Sequence, residues 1–306
     1  MIPLVQNYTV GRMSGIGMNT KKKRILVILI SFIFLFNINS SYVLSEENSV
    51  SFNISQQSSD PATYRAVLIG IGSIQGLPYS VRQIKGIQQT LLNGGNWEEE
   101  HIKLLTDGAA TKENIQQNIA WLAESADEND VSLFYFIGHG GGGPNGSDHF
   151  ISAADSIIYD DYLSLYFENI TGSLIVILDS CNSGGLINEL WEPGRVIMTA
   201  CAADESTYQA NELKAPVFSY FFNISLSWIT KNAEFTFLFT KQFTRYYANK
   251  ISDEYQADYS TTPQLYDGIR GPTWIINRHA YLQRIRDLIN PIVFTHDDLT
   301  IWKMNT

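Results

Sequence analysis

From residue 64 onward, short apolar runs alternate with segments in which apolar residues recur every three or four positions. Tyr64 to Gly72 is apolar and β-branched and ends in glycines, the pattern of a strand buried on both faces. Val81 to Leu92 sets Ile84, Ile87, Leu91 and Leu92 at helical spacing. A second strand is expected from His101 to Leu105. A helix follows from Thr111 to Ser125, with Thr111 as its cap and Ile115, Ile119 and Leu122 as its apolar stripe. Val131–Ile137, Leu174–Leu178 and Arg195–Thr199 read as buried strands. Helices are expected over 160–167, 216–229 and 235–250, and a last strand over 273–276. This alternation predicts an α/β fold, a three-layer α/β/α sandwich around a mostly parallel, roughly six-stranded sheet. One domain spans 63–278, and 279–306 is a tail.

The amino-terminal pattern is different. Lys21 to Arg24 form a basic block, Ile25 to Phe36 an apolar run broken only by Ser31, and Asn37 to Ser45 a polar stretch ending in a small residue. These are the three regions of a secretory signal, so 1–45 is read as an extension plus signal peptide and the protein as exported. The run is shorter than the roughly 18 residues of a membrane span. Membrane contact is therefore expected only through this segment, as a signal or as an uncleaved tether. Residues 46–62, rich in Ser, Gln, Asn and Glu, form a linker or pro-segment.

Composition narrows the function classes. Hydrophobic residues make up 44% of the chain and charged residues 17%, enough apolar material for a full core. The net charge is −10, and no basic stripe follows residue 24, so nucleic acid is not an expected partner. Two cysteines, Cys181 and Cys201, do not make a disulfide framework.

Candidate chemistry gathers after two of the predicted strands. The third ends in Gly138-His139-Gly140-Gly141 and the fourth in Asp179-Ser180-Cys181-Asn182-Ser183-Gly184-Gly185. In open α/β sheets, function sits at the carboxyl ends of strands. A thiol is a strong nucleophile once deprotonated, and an imidazole titrates near neutrality and can carry its proton. Flanking glycines let backbone N–H groups approach a carbonyl oxygen, with Gly140 and Cys181 as the oxyanion donors. A lone buried cysteine or histidine is usually structural. The pair, each flanked by glycine and each at a strand end, points to catalysis by His139 and Cys181. Cys201 lies inside a strand and reads as core. His149 follows a glycine-rich loop and reads as exposed, without an evident partner. Gly70-Ile71-Gly72 falls short of a dinucleotide-binding loop because Gln75 stands where the third glycine is needed. Ser180 and Ser183 are not in a serine-hydrolase elbow.

These residues resemble the caspase, metacaspase and legumain clan of cysteine peptidases, whose members carry His-Gly after one strand and an x-Cys segment after the next. Leu104-Leu105-Thr106-Asp107, Thr199-Ala200-Cys201 and Thr262-Pro263-Gln264 extend the likeness over residues 64–276. The resemblance implies a cysteine endopeptidase acting on peptide or protein substrates through a Cys/His dyad. It also implies that Asp179, two before the cysteine, lines the pocket for the side chain preceding the cut. A carboxylate there favours Arg or Lys, although Asp179 could instead serve its own turn.

Three departures stand out. Asn182 replaces a frequent histidine, Gln83 occupies the place of a second pocket acid, and Asn188 follows the cysteine where calcium-binding relatives carry aspartate. Asp155, Asp160 and Asp161 are weak calcium candidates, and the chemistry itself requires no cofactor. Other readings on the same scaffold are a catalytically silent binding protein, a transpeptidase or ligase, and an Asn/Asp-directed legumain-like peptidase.

Overall fold

The computed structural model describes residues 61–143 and 148–276. The signal-like segment, the linker up to residue 60 and the tail from 279 lie outside these residues. Among the described residues, no helix is long and apolar enough to cross a membrane.

A six-stranded sheet forms the middle layer, built from β1 (Tyr64–Gly70), β2 (Ile102–Thr106), β3 (Val131–Ile137), β7 (Ser173–Asp179), β8 (Arg195–Thr199) and β11 (Gln264–Asp267). Their spatial order is β11-β8-β7-β3-β1-β2, and every pair is parallel except β11 against β8. Side chains alternate between two cores, as the period of a strand requires. Leu68, Leu133, Tyr135, Ile177 and Met198 face one layer, and Ile69, Phe134, Phe136, Val176 and Ile197 face the other.

The first layer holds α1 (Ser80–Leu92), α5 (Val217–Ile224) and α6 (Ala233–Tyr255). Ile84, Ile87 and Leu91 of α1 and Phe218 and Phe222 of α5 are buried against the sheet. The opposite layer holds α2 (Lys112–Ser125) and α3 (Asp160–Phe167), contributing Ile115, Ile119, Leu122, Leu163 and Phe167. Thr111 caps α2, its Oγ1 accepting from the Asn114 N–H at 3.2 Å. The three-layer α/β/α expectation therefore holds.

Two expectations need correction. The last strand is Gln264–Asp267 rather than 273–276. It runs antiparallel to β8, Gln264 facing Thr199 and Asp267 facing Val196. Only two apolar side chains mark it, Leu265 and Tyr266, one for each core. Residues 273–276 instead run past the start of α6. There Trp274 makes an isolated bridge to Asn232, and the Ile275 N–H donates to the Lys231 carbonyl at 3.0 Å. The helix expected over 216–229 ends at Ile224 and continues as a π-helical turn, Ser225–Ile229.

Three further strands, β4 (Gly140–Gly142), β5 (His149–Ser152) and β6 (Ile157–Tyr159), form a small antiparallel sheet beside the carboxyl ends of the main one. A two-stranded ribbon, β9 (Gln209–Ala210) with β10 (Ala215–Pro216), lies between β8 and α5. The short helix α4 (Ile187–Leu190) follows the cysteine loop.

Candidate active site

The chain leaves β1 outward to β2, then crosses back to place β3 on the other side of β1. This reversal makes a crevice at the carboxyl ends of the strands. The loops after β1, β3, β7 and β8 converge there on a narrow cleft of about 70 Å³. Leu77 comes from the first loop and Ser80 from the start of α1 behind it, His139 from the second, Cys181 from the third, and Thr207 from the fourth with Gln209 of β9 after it.

Register sets the histidine and cysteine on neighbouring strand tips, with Cys181 Sγ donating to the Thr207 carbonyl at 3.5 Å. Ile137 pairs with Asp179 at the last position of the β3–β7 ladder. His139 and Cys181 therefore each sit two residues past a matched pair, on strands about 4.8 Å apart. His139 is exposed and Cys181 half-buried. The His139 Nε2 lies 3.0 Å from the Gln75 carbonyl. That oxygen can only accept, so Nε2 is the donor. Sequence reasoning missed this partner of His139, because the contribution of Gln75 is a main-chain atom. Its own amide Nε2 donates to the Ala153 carbonyl at 3.0 Å, tying this loop to the segment after β5.

Gly140 lies opposite Ile151, and the ladder bond closes one position earlier, from the Ser152 N–H to the His139 carbonyl at 2.9 Å. Bonded positions alternate in an antiparallel ladder, so the Gly140 N–H points away from β5. No side chain fits at Gly140. A Cβ would stand 2.5 Å from Ser180 Oγ and 2.8 Å from the Cys181 carbonyl.

The cysteine loop is held by its neighbours. Asn182 adopts a left-handed conformation, φ 56°, which asparagine tolerates better than most residues. Its N–H donates to the Glu205 carbonyl at 2.8 Å and its Nδ2 to the Ala203 carbonyl at 2.7 Å. The Glu205 carboxylate in turn accepts from the Thr262 N–H at 2.6 Å and Thr262 Oγ1 at 2.9 Å. Cys201 lies beneath, fully buried, its Sγ 3.3 Å from the Ser180 carbonyl and 3.2 Å from that of Glu205. Burial pushes its thiol up to about 11, so it stays protonated and inert, as the core reading expects.

Asp179 forms the floor of the cleft at 3% exposure. Its Oδ2 accepts from the Ser219 N–H at 3.0 Å and Ser219 Oγ at 2.5 Å, and its Oδ1 from Thr207 Oγ1 at 3.4 Å. Burial pushes its carboxyl up to about 6 against the pull of these bonds. Gln83 does not line the cleft. It is buried one layer behind, its Nε2 donating to the Ser219 carbonyl at 2.9 Å. It supports the helix that holds Asp179 and does not face a substrate.

The remaining candidates lie elsewhere. His149, expected exposed and unpartnered, is 6% exposed, with Nδ1 3.8 Å from Asp160 Oδ2. Its ring packs on Gly185, where a Cβ would meet it at 2.1 Å, so the cysteine loop lies against this histidine. Asp160 accepts from the His149 N–H at 3.0 Å and the Asp161 N–H at 3.2 Å, and Asp161 from the Tyr162 N–H at 2.7 Å. Asp155 accepts from the Lys112 N–H at 2.8 Å, at the start of α2. Asp160 and Asp161 share an open recess of about 270 Å³ with Asp148 and Glu189. Among the described residues, however, no three His, Cys, Asp or Glu side chains come together as a metal-binding group. The three calcium candidates do not form a ligand set as arranged.

This mostly parallel sheet, with histidine and cysteine at adjacent strand tips, resembles the fold of caspases. Residues 64–189 match the family described as metacaspase, peptidase C14 domain. Metacaspase-4 of Arabidopsis thaliana is 35% identical over 149 residues, which cover 42% of this chain and 36% of that protein. Metacaspase-1 of Cryptococcus neoformans is 30% identical over 143 residues, covering 39% and 31%. The chain thus spans about a third of the length of these curated relatives. Caspase-1 from Spodoptera frugiperda superposes with a TM-score of 0.53 at 12% identity, covering 70% of this chain and 90% of that one. A protein from Geobacter sulfurreducens gives 0.52 at 11%, covering 68% and 94%. At such identity the structural likeness speaks for the fold alone.

Proposed function

We propose that the chain is a cysteine endopeptidase that cuts peptide and protein substrates after a basic residue, with Cys181 as nucleophile and His139 as its acid–base partner. One observation carries the reading: the two side chains leave register-matched strand ends into one cleft, with the histidine tautomer set by the Gln75 carbonyl. His139 Nδ1 takes the thiol proton, and the thiolate attacks the scissile carbonyl carbon. The oxyanion so formed accepts hydrogen bonds from the Gly140 and Cys181 N–H groups. As the C–N bond breaks, His139 returns its proton to the leaving amine, and a thioester remains on Cys181. Water, deprotonated by His139, then releases the acid and restores the thiol. Every step draws on this chain's own groups, with no cofactor. The buried carboxylate of Asp179 at the cleft floor supports a cationic side chain before the cut.

The test is turnover of fluorogenic peptides carrying Arg, Lys, Asn or Asp before the cut, beside the Cys181→Ala protein. Cleavage after Arg or Lys that disappears in the variant is the expected result. Turnover confined to Asn or Asp substrates, or turnover that survives in Cys181→Ala, would overturn it. We also propose that residues 21–45 direct export. A secreted form beginning near residue 46, seen by intact mass, is expected. Full-length protein retained wholly in the cytosol would contradict it.

A further inference from the structure

We propose that the cleft selects lysine over arginine before the cut, because Asp179 offers an entering side chain one carboxylate oxygen and not two. The inference rests on the peptidase reading above and narrows it. Asp179 Oδ2 already accepts two bonds from Ser219, 3.0 Å from its N–H and 2.5 Å from its Oγ. A carboxylate oxygen has two lone-pair sites, so Oδ2 is filled. Oδ1 has only Thr207 Oγ1, at a long 3.4 Å. One strong acceptor position remains.

Ser219 cannot readily release Oδ2. Its Oγ also accepts from the Tyr135 hydroxyl at 3.0 Å, and its carbonyl holds Gln83 Nε2 at 2.9 Å. All four residues are at most 8% exposed, so losing a partner here is costly. The neutral Gln83 adds no second negative charge from α1. On the rim, the Gln209 amide is spent on the Tyr79 N–H at 3.0 Å and Ser80 Oγ at 2.8 Å.

The two basic side chains would meet this site differently. A guanidinium gains most from two parallel bonds to both oxygens of a carboxylate. Bound here through a single oxygen, it would bury N–H groups without partners. An ammonium is a compact point charge whose pairing needs only one oxygen. Its methylene stem would lie along Leu77, Ile137 and Pro216, which line the same cleft.

The test compares matched peptides differing only in Lys or Arg before the cut, with the full chain, Ser219→Ala and Ser219→Thr. The wild type is expected to favour lysine in kcat/KM by about tenfold, the worth of one charge-assisted hydrogen bond. Ser219→Ala frees one Oδ2 site and should bring the ratio toward unity, mainly through KM for the arginine peptide. Ser219→Thr keeps the hydroxyl and should keep the wild-type ratio. Equal or better use of arginine by the wild type overturns the inference and leaves the peptidase reading intact. If Ser219→Ala folds but keeps the wild-type ratio, Ser219 is not its source. If it does not fold, the wild-type ratio decides. A wild type that cuts after neither basic residue overturns the underlying reading, and this one with it.

Discussion

At the reacting end of the cleft, His139 and Cys181 are positioned by main-chain geometry, whereas at its floor Asp179 is positioned by side chains from distant parts of the chain. The first end depends on strand register, a glycine with no room for a Cβ and one backbone carbonyl. The second depends on Ser219 and Thr207, which lie 40 and 28 residues from Asp179 in sequence. The contrast teaches which changes each end tolerates. A main-chain site is damaged by adding atoms, and a side-chain site by removing a partner.

The largest expected effect comes from the reacting end. Cys181→Ala should lower kcat by about 10³-fold or more, as loss of a nucleophile does, with a circular dichroism spectrum like the wild type. Residual turnover near the wild-type rate would break the comparison at its root. Next, Asp179→Asn should lower kcat/KM for basic peptides by about 10²-fold or more, since a buried recognition charge is lost. It should leave the rate of Cys181 alkylation unchanged.

The same substitution has a stability signature of definite sign. The folded carboxyl is raised from 3.8 to about 6, so the folded state binds more protons across that window. Stability from this group therefore falls as pH rises from 4 to 6. Urea denaturation should find Asp179→Asn more stable than wild type at pH 8, by up to about 3 kcal/mol, with the gain gone at pH 4. In activity the direction reverses. Below about 6 the carboxyl takes up a proton, and kcat/KM for cationic substrates should fall with a limb that Asp179→Asn lacks. His139 and Cys181 line the same cleft, so the variant is the control that isolates this limb.

Smaller effects sharpen the contrast. Gly140→Ala forces a Cβ to within 2.5 Å of Ser180 Oγ. It should slow turnover by about tenfold to a hundredfold through a displaced oxyanion site, equally for Lys and Arg peptides. Gln83→Ala removes a partner at the floor and should cost about 1–2 kcal/mol in stability and only a few-fold in kcat/KM. A Gly140→Ala protein that discriminates between the two peptides, or a Gln83→Ala protein that abolishes alkylation of Cys181, would blur the division.

The reacting end was legible in the sequence because its determinants are local. Apolar runs announce β3 and β7, and each is followed by a glycine-flanked candidate residue, His139 or Cys181. The floor was less so. Asp179 stood out only through the family resemblance, two residues before the cysteine, while Ser219 sits in an apolar helix with no motif, and the place of Gln83 behind the cleft depends on a contact 136 residues away. The Gln75 carbonyl has no sequence signature at all. β11 was missed because QLYD carries only two apolar side chains, and its strand state comes from pairing with β8 and not from its own pattern. His149 misled because the strands around it, β4 to β6, are only three or four residues long, too short for periodicity to show.

The Glu205 tether gives the site a boundary that the family match does not share. The matched stretch ends at residue 189, yet Asn182, next to Cys181, is bonded to Glu205, and Glu205 to Thr262. Thr207, Gln209 and Ser219 also lie beyond that limit. The portion of the chain most similar to its relatives is therefore not a separable module. Excised, it would keep His139 and Cys181 and lose the struts that brace them, so any transplant of this cleft must carry the chain through the last strand.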